Sequence, residues 1–425
     1  MALYPRPIDS SFDIGSGLLE ADETIMETGH VEVDAYVSEE RWELEREMFG
    51  KIWLCMGREE QVAEPGDWIV RDIECRDTSA LIVRGKDGVV RAFHNVCSHR
   101  GMRLVWGTKG RGGKFSCPYH AWLFDGQGAL THIPDRRCFP HVDQAASGLT
   151  PISCDIWNGF VFINLSNQPS QTLRAFLGPL ATRLDGAPFQ DFPHSLSLSQ
   201  EVVGNWKLGI EAASEGYHVQ ALHTQSVGGM LSTTDNPHVH FLAWEPLGPH
   251  RTATIPCNPA YRLPERRVVQ KFAGRHGQQM MVEGGMTGNV SGDFLSHPAI
   301  NRIKTDVFGN DQFNIFPNFS IHISVNGYWT TSYWPISKGR SQWLTTFYYK
   351  RPKSLREDFS LRVVGALQRD IFAEDNSCFQ KQQRALESGA RKFIQLGEGE
   401  ILLRHQLAVL EAITGNHKPE ALAAE

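Results

Sequence analysis

The chain has 425 residues, is 41 % hydrophobic and 21 % charged, and carries a formal net charge of −6. That length suits two domains or one large domain with an insertion. The mild acidity argues against a nucleic-acid partner, since phosphate-binding proteins carry a positive excess. No signal peptide and no long apolar run is visible, so a cytoplasmic protein without a membrane span is expected. Eight cysteines stand at 55, 75, 97, 117, 138, 154, 257 and 378. Apart from Cys97 and Cys117 they form no paired framework and read as buried thiols of a reducing compartment.

Residues 1–30 show little periodicity and read as an arm. Ser38 suits a helix N-cap, with Glu39 and Glu40 in the first turn, Trp42, Met48 and Phe49 as apolar positions and Gly50 as a stop. From Ile52 the pattern turns strand-like, with short apolar runs at Trp53-Leu54-Cys55, Trp68-Ile69-Val70 and Leu81-Ile82-Val83. Lys86-Asp87-Gly88 signals a hairpin turn. Phe124 to Gly128 and Trp157 to Ile163 continue the β pattern, so residues of about 46–166 read as an all-β domain.

Within that domain, Cys97-Ser98-His99 and Cys117-Pro118-Tyr119-His120 form two compact pairs separated by a Gly-rich, basic loop. Pro118 and the surrounding glycines favour loops at hairpin tips. Thiolate and imidazole suit iron–sulfur or zinc chemistry rather than calcium or magnesium. A two-Cys, two-His zinc site usually runs Cys-Cys then His-His, and chance loop residues rarely form two such pairs. A [2Fe–2S] cluster fits better, with Cys97 and Cys117 on one iron and His99 and His120 on the other.

Further on, Trp206, Ile210, Ala213, Tyr217 and Leu222 approach the 3.6 period, so 206–221 can be helical, with Glu215 and His218 on one face. His223 would lie about 140° from His218 on an ideal wheel, so both can reach one ion only if the helix distorts just before His223. Two His plus a distant carboxylate make the facial triad of non-haem Fe(II) oxygenases, although helix histidines are commonly structural. His238 and His240 read as one face of a strand with a structural role. Gly284 to Gly288 suggests a mobile loop. Strands follow at 319–325, 328–335 and 342–350, and Ser354-x-x-Glu357 opens a helix that continues through Glu374-Asp375.

Taken together these motifs closely resemble the Rieske non-haem iron ring-hydroxylating oxygenases, in their α (oxygenase) subunits. The resemblance rests on Cys-x-His, seventeen residues, then Cys-x-x-His, with Phe93-His94-Asn95-Val96 before and Tyr119-His120-Ala121-Trp122 after. It rests also on Asn205-Trp206-Lys207 followed by Glu215, Tyr217-His218 and His223. It implies an α+β chain: an all-β Rieske [2Fe–2S] domain plus a helix-grip (START-like) catalytic domain with a long antiparallel sheet flanked by helices. The implied divisions are 1–45 for an N-terminal arm and helix packing on the catalytic domain, 46–166 for the Rieske domain and 167–425 for the catalytic domain.

By the same resemblance, His218 and His223 hold a mononuclear Fe(II). The family's acidic ligand sits in a Glu-Asp pair eight residues before a Gln, which selects Asp375 ahead of Gln383, with Glu374 the other choice. Asn205 would lie just outside the iron's ligands. The residue equivalent to Glu215, usually Asp, links an iron-bound His to a Rieske His of the adjacent subunit. Here that joins His218 to His120 of a neighbour in a head-to-tail homotrimer, the alternative being an ordinary buried ion pair.

The chain would thus be the oxygenase component of a system that uses O₂ to hydroxylate a small organic substrate, an aromatic acid or a quaternary-ammonium or N-methyl compound. Mono-oxygenation, demethylation and ring dihydroxylation stay open, as does a separate β subunit, and aromatic catabolism is one setting. The chain shows no dinucleotide fingerprint, so electrons would come from an external flavin and NAD(P)H reductase, with or without a ferredoxin. The rival is a non-enzymatic Rieske electron carrier with a ligand-binding domain.

Overall fold

In the computed structural model the described residues are Arg6–Pro7, 29–276, 293–325 and 327–415. The loop expected at Gly284–Gly288, and the arm apart from Arg6–Pro7 and its last two residues, lie outside them. The chain divides into two compact units, one of Glu45–Phe176 and one of Met1–Leu44 with Leu177–Glu425.

Glu45–Phe176 is built on antiparallel strands. Seven stand in the order Leu54–Arg58, Phe160–Asn164, Pro151–Trp157, Val90–His94, Thr78–Arg84, Asp67–Ile73, Lys109–Arg111. Three more, Lys114–Ser116, Leu123–Asp125 and Leu130–His132, form a second sheet. The hairpins turn where small or amide residues accept positive φ. Asn158 (φ 49°) and Gly159 (φ 75°) join two strands as a primed turn that matches strand twist. The core of this unit contains Phe93, Phe115, Trp122 and Phe124 together with both Cys97 and Cys117. Among the other thiols Cys55, Cys75 and Cys257 are buried, but Cys138 is exposed and Cys154 and Cys378 are half-buried, so the expectation of uniform burial does not hold.

The second unit is organised by an eight-stranded sheet. Its order is Arg6–Pro7, Ala243–Leu247, His250–Pro256, Phe308–Ile315, Phe319–Ser324, Gly327–Ser337, Arg340–Tyr349, His194–Val202. Only the first pair is parallel. On one face Trp329, Phe347 and Tyr349 pack against Leu361 and Val364 of the long helix Leu355–Glu387. The Ser354 hydroxyl caps that helix by accepting from the Glu357 amide at 3.2 Å. The Glu357 carboxylate accepts from Lys353 N instead of returning to Ser354, so the box is half made. The helix Glu39–Phe49 likewise starts at Ser38, whose hydroxyl accepts from Arg41 N.

The opposite face carries a buried acid. Asp311 accepts from the Thr254 hydroxyl and the Asn301 amide, each at 2.6 Å, and burial pushes its carboxyl up to about 7. Folded, the group keeps its proton between its ordinary value of 3.8 and about 7, whereas the unfolded chain has lost it. Stability is therefore greatest below that window and falls by about 1.4 kcal/mol per pH unit across it. Asp311→Asn is expected to flatten the fall in Tm between pH 5 and pH 7. Equal pH slopes in the two proteins would show that Asp311 is not the group responsible.

Candidate metal centres

The two loops of the β unit are built alike. Cys97 N donates to Met102 O at 2.8 Å and Gly101 N to Cys97 O at 3.0 Å; Cys117 N donates to Trp122 O at 2.8 Å and Ala121 N to Cys117 O at 2.9 Å. The fourth residue after each Cys turns back with positive φ, Gly101 at 74° and Ala121 at 55°. Each loop thereby buries its Cys in the core and carries its His to the tip. The His99 and His120 rings meet edge to face with centroids 4.6 Å apart, and Trp122 stacks on His99 at 4.7 Å.

These four side chains fit a [2Fe–2S] cluster. The Nδ1 atoms of His99 and His120 are buried and make no hydrogen bond, which costs free energy unless a ligand meets them. The thiols of Cys97 and Cys117 face each other, and burial pushes Cys97 up to about 11, a setting a cation would reverse. Four donors of one zinc ion would crowd together. Among the described residues, three such donors converge within 4.8 Å of one another only at His218, His223 and Asp375. Two thiolates and two imidazoles on paired loops suit a two-iron cluster, one residue type on each iron.

The second centre forms where a helix fails. The expected helix 206–221 ends at Ala212, and the break covers 213–218 rather than falling just before His223. The Ser214 hydroxyl turns back to Ile210 O at 2.7 Å, offering the backbone an alternative to the helix. The Glu215 carboxylate then takes the Tyr217 and His218 amides. Gly216 is required for space: a Cβ there would sit 2.1 Å from Val239 O. Tyr217, counted in the apolar stripe, is 66 % exposed. Glu215 and His218 therefore share a turn, not a helix face. A short helix, Val219–Leu222, then delivers His223. Segment 236–240 is likewise no strand; Val239 has φ 53° and Asn236 closes the loop on His240 in both directions.

The Nε2 atoms of His218 and His223 lie 3.2 Å apart, and Asp375 Oδ1 is 3.6 Å from the first and 3.0 Å from the second. Asp375 Oδ1 is buried and accepts no hydrogen bond. Each imidazole is held from behind by a carboxylate, His218 Nδ1 by Glu215 and His223 Nδ1 by Glu374 at 2.6 Å. Ser226 donates to the same Glu374 oxygen at 2.5 Å. Burial pulls the His223 imidazole down, but Asp375 and Glu374 outweigh it and hold it above its usual value. With Nδ1 occupied, both rings aim Nε2 at one point together with Asp375, an arrangement that suits iron with positions left open.

Glu374, weighed in the sequence as a ligand, thus stands behind His223, and Ser226 and Glu374 as its support are not visible in the linear text. Asn205 caps the helix Trp206–Ala212 and ties it to Tyr36 O, Lys338 O and Gln383; none of its hydrogen bonds reaches the three donors. Removing the charge behind His223 by Glu374→Gln should weaken Fe(II) binding about 10- to 100-fold. Chelator competition measures this, with acid-labile sulfide unchanged. Wild-type iron affinity would show that Glu374 does not tune the ligand.

Residues 189–415 match the family described as ring hydroxylating alpha subunit (catalytic domain), and residues 52–145 match the Rieske [2Fe-2S] domain. The carnitine monooxygenase oxygenase subunit of Acinetobacter pittii is 33 % identical over 191 residues, 44 % of this chain and 51 % of the relative. This chain therefore spans about half the length of that relative. The glycine betaine monooxygenase oxygenase subunit of Pseudomonas aeruginosa is 24 % identical over 345 residues, 81 % and 79 % of the two chains. The crystal structure of naphthalene 1,2-dioxygenase from Rhodococcus sp. bound to indole superposes with TM-score 0.73 at 19 % identity, covering 92 % of this chain and 95 % of that one. That likeness is one of fold.

Proposed function

Because this chain belongs to the ring-hydroxylating α-subunit family of Rieske oxygenases, we propose that it is the oxygenase component of a system that hydroxylates a small organic substrate. O₂ is the co-substrate, and electrons come from a separate NAD(P)H-dependent reductase. The observation that carries this reading is the convergence of His218, His223 and Asp375, with a carboxylate behind each imidazole. A pure electron carrier has no use for such a trio.

When bound, a Rieske cluster relays single electrons and a mononuclear Fe(II) activates O₂. The chain's own residues prepare for both. Cys97 and Cys117 supply thiolates from the core, and His99 and His120 supply neutral nitrogens at the loop tips. Glu215 and Glu374 hold the Nδ1 protons of His218 and His223 and so keep Nε2 free for the metal. Asp375 contributes the negative charge.

Glu215 has a second task in this proposal. It joins His218 to His120 of a neighbouring copy in a head-to-tail homotrimer, giving the electron a hydrogen-bonded route. Exposure supports it: Tyr119, beside His120, is 56 % exposed, and Tyr217, beside His218, is also at the surface. Among the described residues no helix is long and apolar enough to cross a membrane, and a cytoplasmic NAD(P)H supply fits the expected reductase.

The test is turnover of anaerobically reconstituted protein with a surrogate reductase, NADH and ¹⁸O₂. Substrate-dependent incorporation of ¹⁸O into product is expected. Reduction of the cluster without any substrate-dependent O₂ consumption, across a panel of aromatic and N-methyl compounds, would favour the electron carrier.

A further inference from the structure

The sheet face that supports the long helix carries a polar row for which the fold has no use. Asn310, Gln312 and Asn314 alternate along one strand and so share a face, and Gln312 lies opposite His322, which lies opposite Trp329. Trp329 packs on Leu361 and Val364 of the helix that bears Asp375, which fixes which face this is. All four polar side chains are at most 5 % exposed. Yet Asn310 Oδ1, Gln312 Oε1, Asn314 Nδ2 and His322 Nδ1 have no hydrogen-bond partner. Each such atom costs free energy unless a partner meets it, and these four cluster on adjacent positions of one face.

The amides specify what would meet them. Gln312 Nε2 donates to Asn314 Oδ1 at 2.9 Å, leaving one acceptor and one donor free. Turning both amides over reverses their internal bond but again leaves one donor and one acceptor. His322 is neutral, because burial pulls it down to about 3, and Ser320 occupies its Nε2 at 3.0 Å. Arg251, opposite Asn314, is the charged side chain on this face; its Nη2 is turned to Gln406 and Ser214, and Glu211 faces its charge. A buried ammonium would therefore lie beside neutral groups and a cation, and a carboxylate would compete with Glu211 for Arg251, whose Nε makes no hydrogen bond.

The row shares its sheet face with a contact to the helix that bears Asp375. Tyr333 shares the face and donates to Asn376, the neighbour of Asp375, at 3.2 Å. Thr331, two residues from Tyr333, pairs with Ser320, which pairs with Asn314. Two residues along and two strands across place Asn314 about 12 Å from Tyr333. Ile371 and Leu367, one and two turns before Asp375 on the helix, join Val219, Met230 and Leu263 in an apolar cluster.

Resting on the oxygenase reading, we propose that Gln312 and Asn314 select an uncharged substrate bearing a ring amide, whose N–H and C=O pair with the free acceptor and donor. The test uses the iron-loaded protein under anaerobic conditions, with calorimetric binding of 2-pyridone as the neutral ring amide and of benzoate and glycine betaine as charged probes. The variants are Gln312→Met and Asn314→Leu. 2-Pyridone should bind at least tenfold more tightly than either charged probe, and each variant should remove that preference. Without ligand the double variant Gln312→Met/Asn314→Leu should melt about 1–2 °C higher, because both unpaired atoms and the bond between the amides go together, whereas either single change leaves its partner unpaired.

Tighter binding of benzoate or betaine, or no binding of 2-pyridone, overturns the assignment. So do single variants that bind 2-pyridone as before, or a double variant that melts lower, which would make the amides structural. Iron and sulfide are measured on the same samples. A wild-type protein with full iron and no preference for 2-pyridone sinks this assignment alone, whereas absence of the mononuclear iron sinks the oxygenase reading beneath it.

Discussion

Asp375→Ala should remove the mononuclear iron and leave the cluster untouched. Asp375 is the sole anionic donor of the trio, and its Oδ1 is buried with no hydrogen-bond partner, so no neighbour can substitute for it. Glu374 cannot step in while it holds His223 Nδ1 from the far side of the ring. Iron should fall from about three to about two per chain with about two sulfides retained, and substrate hydroxylation should fall by at least about 100-fold, beyond the loss typical of an outer-shell partner. The unchanged cluster spectrum serves as the control for folding. Wild-type iron content with wild-type turnover would remove Asp375 from the site.

Glu215→Ala separates iron binding from electron delivery. Its carboxylate holds the His218 ring and two backbone amides of the turn, so its loss also loosens the ligand. Assayed at saturating Fe(II), the variant should carry both metal centres and still accept electrons into the cluster from the reductase. Product formed per NADH should collapse, by about 100-fold or more, if the proposed hydrogen-bonded route to the next copy runs through it. Normal product formation would eliminate Glu215 as the bridge and leave it as the support of His218 alone.

Much of this was legible in the residues because local chemistry decided it. Cys-x-His and Cys-x-x-His sit on short turns whose geometry depends on nearby residues, and Lys86-Asp87-Gly88 forms the hairpin turn its residues demand, whereas Asn158-Gly159, read within a continuous β run, turns between two strands. The long helix Leu355–Glu387 follows from its Ser354 cap and continuous periodicity. What escaped the sequence was set at long range. The helix after Asn205 stops at Ala212 because Gly216 must lie against Val239, a contact no local pattern encodes. Tyr217 completed an apolar stripe on paper and faces solvent in the fold. His238 and His240 alternate as strand residues would, but Asn236 closes them into a loop. Glu374 and Asp375 differ in role only because the His223 ring presents one nitrogen to each.

The most direct test of the two-centre account is iron and acid-labile sulfide per chain on anaerobically purified protein, with a spin-resonance spectrum after reduction. About three irons and two sulfides, with a Rieske signal, are expected. Zinc without sulfide, or about two irons and two sulfides persisting after reconstitution with Fe(II), would contradict it.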